Sequence, residues 1–320
     1  WPVQHHPLRQ TAAGSDVHRP AQPVRGFQDH LCYREDFVHE GEHRGSSRGA
    51  GDGGGGAGAW RRERVLVSVV MPTYNCGKYI LESIDSVLAQ TITDWELQIV
   101  DDCSTDDTQE ILKPYLEKYP QIHYYRLSQN GGPAVARTVA IKRAEGKYVA
   151  FLDSDDLWLP EKLEKQISFM KNTKSAFSCS AYACMDDEGN SLHYALFPPE
   201  KTDYEKCIRL SNPIGNLTAM YDQEILGKFQ VPPIKKRNDF ALWLQILKKT
   251  TYCAGLQEVL GIYRTGRKGS VSSNKLKQAK YHWQLYHDIE HHGILRSFFE
   301  LGCWAFVKGT HIGLVKKIYR

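Results

Sequence analysis

"YVAFLDSDDLWLP", residues 148–160, is a short apolar run that leads straight into acid. Tyr148 to Leu152 have the unbroken hydrophobic character of a strand buried on both faces. Asp153, Asp155 and Asp156 follow within one turn's length of chain, before Leu157, Trp158 and a helix-opening Leu-Pro. Carboxylates this close repel one another unless solvent, a cation or hydrogen-bond donors offset the charge. One Asp at such a place is commonly a helix cap. Three are poorly explained by capping, and they point to a site.

The same strand-then-polar pattern occurs upstream. "VLVSVVMPTY" (65–74) is a buried strand ending in Pro and Thr, and "WELQIVDDCS" (95–104) is another, ending in Asp101 and Asp102. "IHYYRL" (122–127) is a shorter one. Between them lie helical patterns: "KYILESIDSVLAQ" (78–90), "TDDTQEILKPYLEKY" (105–119), opened by Thr105 as a candidate cap, and "GPAVARTVAIKRAEG" (132–146). Alternating strands and helices predict an α/β fold built on a doubly wound, mostly parallel sheet. In such sheets ligands bind beyond the carboxyl ends of the strands. The polar endings Pro72-Thr73-Tyr74-Asn75, Asp101-Asp102 and Asp153–Asp156 therefore fall on one rim. Hard oxygen donors at that spacing suit Mg²⁺ or Mn²⁺, usually shared with phosphate oxygens. The chain has no G-x-x-x-x-G-K-[ST], and "NGGPAVA" (130–136) is not G-x-G-x-x-G, so the P-loop and dinucleotide-binding readings fail on their own motifs.

Composition narrows the function classes. The 320 residues are 41% hydrophobic and 24% charged, with a formal charge of +4. That balance is ordinary for a globular enzyme and offers no basic footprint for nucleic acid. The 8 cysteines include no C-x-x-C pair, so reduced thiols are expected rather than a disulfide framework. No apolar run is long enough to span a bilayer, and no signal peptide is read at the N-terminus. Residues 1–64 differ from the rest: they are rich in Arg, His and Gly and contain no Lys. They are expected to be disordered, and to be a non-native or upstream extension.

"VSVVMPTYN", "VDDCSTDDT", "NGGPAVAR…AEGKYVAFLDSDD" and "NDFALWLQI" together resemble family 2 glycosyltransferases of the GT-A fold. The likeness covers residues 65–265, taken as the GT-A domain, with 266–320 as a helical C-terminal segment. The stretch 263–289 further resembles bacterial enzymes of capsule, O-antigen or teichuronic-acid assembly. This resemblance implies an inverting transfer of one sugar from a nucleotide sugar, usually a UDP-sugar, with Mn²⁺ or Mg²⁺ as cofactor. The acceptor it implies is a lipid-linked glycan. A non-catalytic sugar-nucleotide-binding protein of the same fold is the alternative. A processive synthase is disfavoured, because neither Q-x-x-R-W nor a membrane span is found.

The resemblance also assigns roles. Pro72 and Tyr74 would line the nucleobase, and Asp102 would accept a hydrogen bond from the uracil N–H. Asp153 would face the ribose or metal, and Asp155 would hold the metal between the phosphates. Asp101 is either a site residue or a turn residue, and Asp156 is expected to cap the helix at 159–170. Arg137 either reaches the nucleotide or pairs with a rim acid; Thr138 replaces the Asn that usually follows it. Asp239 stands at the position of the catalytic base, which leads a helix and usually follows a Glu; here Asn238 precedes it. "NLT" (216–218) matches a glycosylation sequon but is read as part of the acceptor side. Residues 293–320 mix aromatic and basic residues, which either contact a membrane surface or pack on the catalytic domain. The expected location is cytoplasmic, at the inner face of the membrane.

Overall fold

The computed structural model describes residues 65–210, 212–266, 275–310 and 315–318; the expectations for 1–64 lie outside them. The elements run β1 (Val67–Thr73), α1 (Ile80–Leu88), β2 (Trp95–Asp101), α2 (Thr108–Lys118), β3 (Ile122–Arg126), α3 (Pro133–Arg143) and β4 (Tyr148–Phe151). Then come β5 (Leu157–Trp158), α4 (Lys162–Thr173), β6 (Phe177–Met185), β7 (Ser191–Phe197), β8 (Lys201–Thr202), α5 (Tyr204–Arg209) and β9 (Met220–Asp222). The chain continues with α6 (Gln223–Leu226), α7 (Asn238–Leu247), β10 (Cys253–Arg264), α8 (Lys275–Trp283), α9 (Ile294–Thr310) and β11 (Val315–Ile318).

The first four strands form the expected parallel block, in the order β3-β2-β1-β4. Both faces of this block are covered, as its near-continuous apolar strands require. Because side chains alternate across a strand, Val67, Val69, Met71, Leu97 and Ile99 pack toward Ile80, Ile84, Leu112 and Leu163 of α1, α2 and α4. Val70, Val100, Val149 and Phe151 face Ala136, Ala140 and Ile141 of α3 and Phe240 and Trp243 of α7. Gly146 is needed where the chain returns to β4, since a Cβ there would lie 2.6 Å from the Ser68 backbone nitrogen.

Beyond β4 the sheet turns mixed: β9 pairs antiparallel with β4 and β6, β7 with β6, and β11 with β7, while β10 runs parallel to β6. The C-terminal segment, expected to be helical throughout, is helical over α8 and α9 but ends in the strand β11. It packs on α7, where Phe240 meets His282 and Tyr286 at ring distances of 6.1 and 6.5 Å. Between α8 and α9 the chain makes a π-helical stretch, Gln284–Ile289. Among the described residues no helix is long and apolar enough to cross a membrane.

Candidate active site

At the carboxyl end of the parallel block, side chains stitch the loops together. Asn75 turns the chain after β1 with φ 47°, donates through its backbone N–H to Ser104 Oγ at 2.9 Å, and accepts at its side-chain Oδ1 from the Thr105 N–H at 2.7 Å. Asp101 is fully buried and accepts from the Ser104 N–H at 2.9 Å and from the Tyr124 hydroxyl at 2.6 Å. Of its two readings, the turn residue is the one its contacts support. Thr105 is not the cap of α2; Asp106 accepts from the Thr108 N–H at 3.1 Å instead.

Asp102 is cradled by the loop before α3. Its two oxygens accept from the Gly131 and Gly132 N–H groups at 2.7 and 2.8 Å. Gly132 adopts φ 84°, a conformation that glycine reaches at little cost. Burial pushes the Asp102 carboxyl above its ordinary pKa, the two N–H bonds oppose the shift, and Asp101 adds to it.

Each acid of 153–156 has its own surroundings. Asp153 receives Arg137 Nη2 at 2.6 Å. Asp156 is 1% exposed, and its Oδ1 accepts from the Arg264 backbone N–H at 3.0 Å. Burial, reinforced by Asp155 and then Asp153, raises its pKa well above the ordinary value. Asp156 therefore does not cap the next helix, as the sequence suggested. α4 follows Glu161 with no side-chain cap, and Asp156 turns inward toward its neutral form. The charge problem at this strand end is met by an arginine, by burial and by the cleft, which Asp155 lines.

A cavity of about 410 Å³ opens on this rim. Pro72, Tyr74, Asp102, Arg137, Asp153 and Asp155 all line it, so every residue expected at the donor comes together there. A second cavity of about 350 Å³ shares Pro133, Arg137, Asp153 and Tyr263 with the first and contains Asn216, Asn238 and Asp239. Asp239 is half-buried, and its Oδ2 accepts from Asn212 Nδ2 at 3.1 Å. It does not cap α7, whose first turn follows Arg237 in the left-handed region at φ 65° with no capping side chain. Arg137 joins the two cavities, donating to Asn238 as well as to Asp153, so the rim-acid pairing is the one of its two readings that its contacts show.

Tyr263 and Arg264 were not singled out by the sequence. Arg264 is 4% exposed, donates from Nε to the Asp155 carbonyl at 3.1 Å, and pairs with Glu82 at 2.5 Å. The readable signal was an aromatic–arginine pair ending a long strand, β10, that leads into the rim. The "NLT" Asn216 has both side-chain amide atoms buried, which fits the acceptor-side reading better than glycosylation.

No group of three or more His, Cys, Asp or Glu able to hold a metal occurs among the described residues. The donors at the rim are the carboxylates of Asp153 and Asp155, with Asp153 already charge-compensated by Arg137. That set fits a hard divalent cation that draws its remaining oxygens from a bound ligand.

The model of glycosyl transferase family 2 matches residues 68–229. TuaG of Bacillus subtilis, named as a glycosyltransferase of teichuronic acid biosynthesis, is 43% identical over 253 residues, covering 79% of this chain and 98% of TuaG. WfgD of Escherichia coli, a UDP-Glc:α-D-GlcNAc-diphosphoundecaprenol β-1,3-glucosyltransferase, is 36% identical, with 74% and 91% covered. Among solved structures, S. aureus TarS 1–349 with UDP-GlcNAc aligns with TM-score 0.56 and 25% identity, over 69% of this chain but only 65% of that one. The mannosyltransferase PcManGT of Pyrobaculum calidifontis, solved with GDP-Man and Mn²⁺, aligns with TM-score 0.52 at 20% identity and supports the fold alone. The chain belongs to glycosyl transferase family 2 and is a glycosyltransferase of the GT-A fold.

Proposed function

We propose that this enzyme moves a single sugar from a UDP-sugar to a lipid-linked precursor of a cell-surface polysaccharide, with inversion and with Mn²⁺ or Mg²⁺. One observation carries the reading: the cavity with the rim acids and the cavity with Asp239 share a wall made by Arg137, Asp153 and Tyr263. Donor and acceptor can thus meet across that wall.

In this reading Pro72 and Tyr74 flank the base. Asp102 accepts from the uracil N–H, using lone pairs left over after Gly131 and Gly132. Asp155, with Asp153, holds the cation, which when bound offsets the charge gathering on the diphosphate. Arg137 steadies Asp153, and Asp239 takes the proton of the attacking hydroxyl. The lipid-linked acceptor is supported by the diphosphoundecaprenol named for WfgD and WfaP of Escherichia coli.

The exposed face of α9 supports work at the inner membrane surface. Leu295, Phe298, Phe299 and Phe306 are each at least 60% exposed. Lys316 and Lys317 on β11 are exposed as well. Apolar and cationic groups together fit an anionic lipid interface.

The test is UDP release with Mn²⁺ across a panel of UDP-sugars, with a diphospholipid-linked GlcNAc as acceptor. Turnover with at least one UDP-sugar is expected. Turnover only with other nucleotide sugars would overturn the donor assignment.

A further inference from the structure

Asn216 opens a short 3₁₀ turn, Asn216–Thr218, that the core holds rigidly. The Leu217 carbonyl accepts from Trp158 Nε1 at 2.7 Å, and the Thr218 carbonyl accepts from Gln166 Nε2 at 2.8 Å. Thr218 Oγ1 donates to the Gly215 carbonyl at 2.7 Å. Leu217 and Thr218 are both buried. Nothing in this anchoring uses the Asn216 side chain.

That side chain lines the cavity of Asp239, Arg137, Asp153 and Tyr263. Both Oδ1 and Nδ2 are buried, and neither has a hydrogen-bond partner. A buried carboxamide left wholly unpaired is rare in folded proteins and calls for an explanation. The same cleft holds a second orphan, Arg137 Nε, and Asn212 beside Asp239 leaves its Oδ1 unpaired too. Polar groups without partners are thus gathered where a substrate would sit.

The chemistry of the orphan selects its ligand. A carboxamide carries donors on nitrogen and an acceptor on oxygen. A phosphate offers only acceptors and would leave Oδ1 unpaired; a cation would leave Nδ2 unpaired. Two neighbouring hydroxyls of a sugar ring satisfy both atoms, because each hydroxyl can donate or accept. We propose that Asn216 is a sugar-reading residue, exchanging hydrogen bonds with adjacent hydroxyls of a hexose held between Asp153 and Asp239. The inference rests on the function proposed above and deepens it. Donor sugar and acceptor sugar present the same chemistry, so the experiment must separate them.

The experiment compares the full chain with Asn216→Leu and Asn216→Asp, using calorimetry with UDP, then with UDP-glucose and UDP-GlcNAc. Steady-state kinetics with the diphospholipid-linked GlcNAc acceptor follow. Asn216→Leu should leave UDP affinity within about twofold and the melting temperature equal or higher, because it removes an unpaired polar group. It should also weaken a sugar-dependent constant by about tenfold or more. A loss in UDP-sugar affinity beyond that for UDP assigns the hydroxyls to the donor; a rise in acceptor KM alone assigns them to the acceptor. Asn216→Asp, which keeps only the acceptor atoms, should fall between. Unchanged UDP-sugar affinity and acceptor KM would overturn the proposal, as would a parallel fall in UDP affinity and melting temperature, which marks a structural role. A wild-type chain that turns over no UDP-sugar would instead sink the proposed function, and this inference with it.

Discussion

Arg137 Nη2 lies 2.6 Å from Asp153 Oδ1, joining the middle of the helix after the glycine loop to the end of the central strand β4. The arginine side chain is 8% exposed and the aspartate 29%. Nη1 of the same guanidinium donates to Asn238, the residue before Asp239. One side chain therefore sets the spacing between the rim acids and the helix that carries the candidate base.

Removing it should be costly on two counts. Arg137→Met leaves Asp153 and Asn238 without their donor, and the pair is only partly shielded from water. A loss of about 1–3 kcal/mol in unfolding free energy is expected, together with weaker UDP binding. Denaturant titration and calorimetry on the same variant check both. Unaltered UDP affinity would remove Arg137 from the donor site.

The acids of 153–156 should respond differently to mutation. Asp155→Ala is expected to abolish the Mn²⁺-dependent part of UDP binding, measured with and without EDTA. Asp156→Asn should bind UDP normally, because Asp156 is already driven toward its neutral form and an amide oxygen can still accept from Arg264. A severe binding defect in Asp156→Asn, with Asp155→Ala unaffected, would reverse the assignment.

That contrast shows how far sequence reading reached. The strand ends, the alternating layers and the rim residues were legible because apolar runs and their polar endings are local patterns. The direction of each acid was not. Whether Asp156 caps a helix or turns inward depends on Arg264, which lies 108 residues away. Tyr263 and Arg264 reach the cleft only through the pairing of β10 with β5 and β6, and no local period encodes that pairing. The antiparallel half of the sheet stayed hidden for the same reason.

Lys162 supplies a pH test. It is fully buried, its ammonium sits 4.2 Å from the Trp158 ring centre and donates to Gln166 at 2.8 Å, and burial lowers its pKa to about 7. A lysine depressed in the folded state binds fewer protons there than in the unfolded chain. Its burial cost is therefore full below pH 7 and disappears as pH rises toward 10.5, the ordinary value. Relative to Lys162→Met, wild-type stability should gain up to about 1.4 kcal/mol per pH unit within that window. Denaturant curves at pH 7, 8.5 and 10 measure the difference. A difference that does not change with pH would mean that Lys162 keeps its proton in the fold.

The C-terminal aromatics divide into two groups. Trp304 packs against His282 at a ring distance of 4.9 Å, whereas Phe299 is more than 60% exposed, as is Leu295 one turn before it. Leu295→Ser/Phe299→Ser should keep the wild-type melting temperature and lose co-sedimentation with phosphatidylglycerol vesicles. Neutral phosphatidylcholine vesicles should recover less wild-type protein. Equal recovery of both forms would refute lipid contact, and a concentration-dependent fall in wild-type sedimentation coefficient on dilution would assign the face to a second copy instead.

Asp239→Asn isolates the proposed proton acceptor. The carboxylate lies in the second cavity, outside the cradle of Asp102, and makes no capping bond. Its protein contact is the Asn212 amide, which donates to Oδ2 at 3.1 Å. An asparagine oxygen can accept from the same amide, so the fold and the nucleotide site should survive. What asparagine cannot do is take a proton at neutral pH. Turnover should therefore fall by about 10²–10⁴, the range for loss of a general base, while UDP affinity and melting temperature stay near wild type. Near-normal turnover would refute the base assignment. Lost turnover with a collapsed melting temperature would make Asp239 a structural residue whose bond to Asn212 holds the acceptor wall.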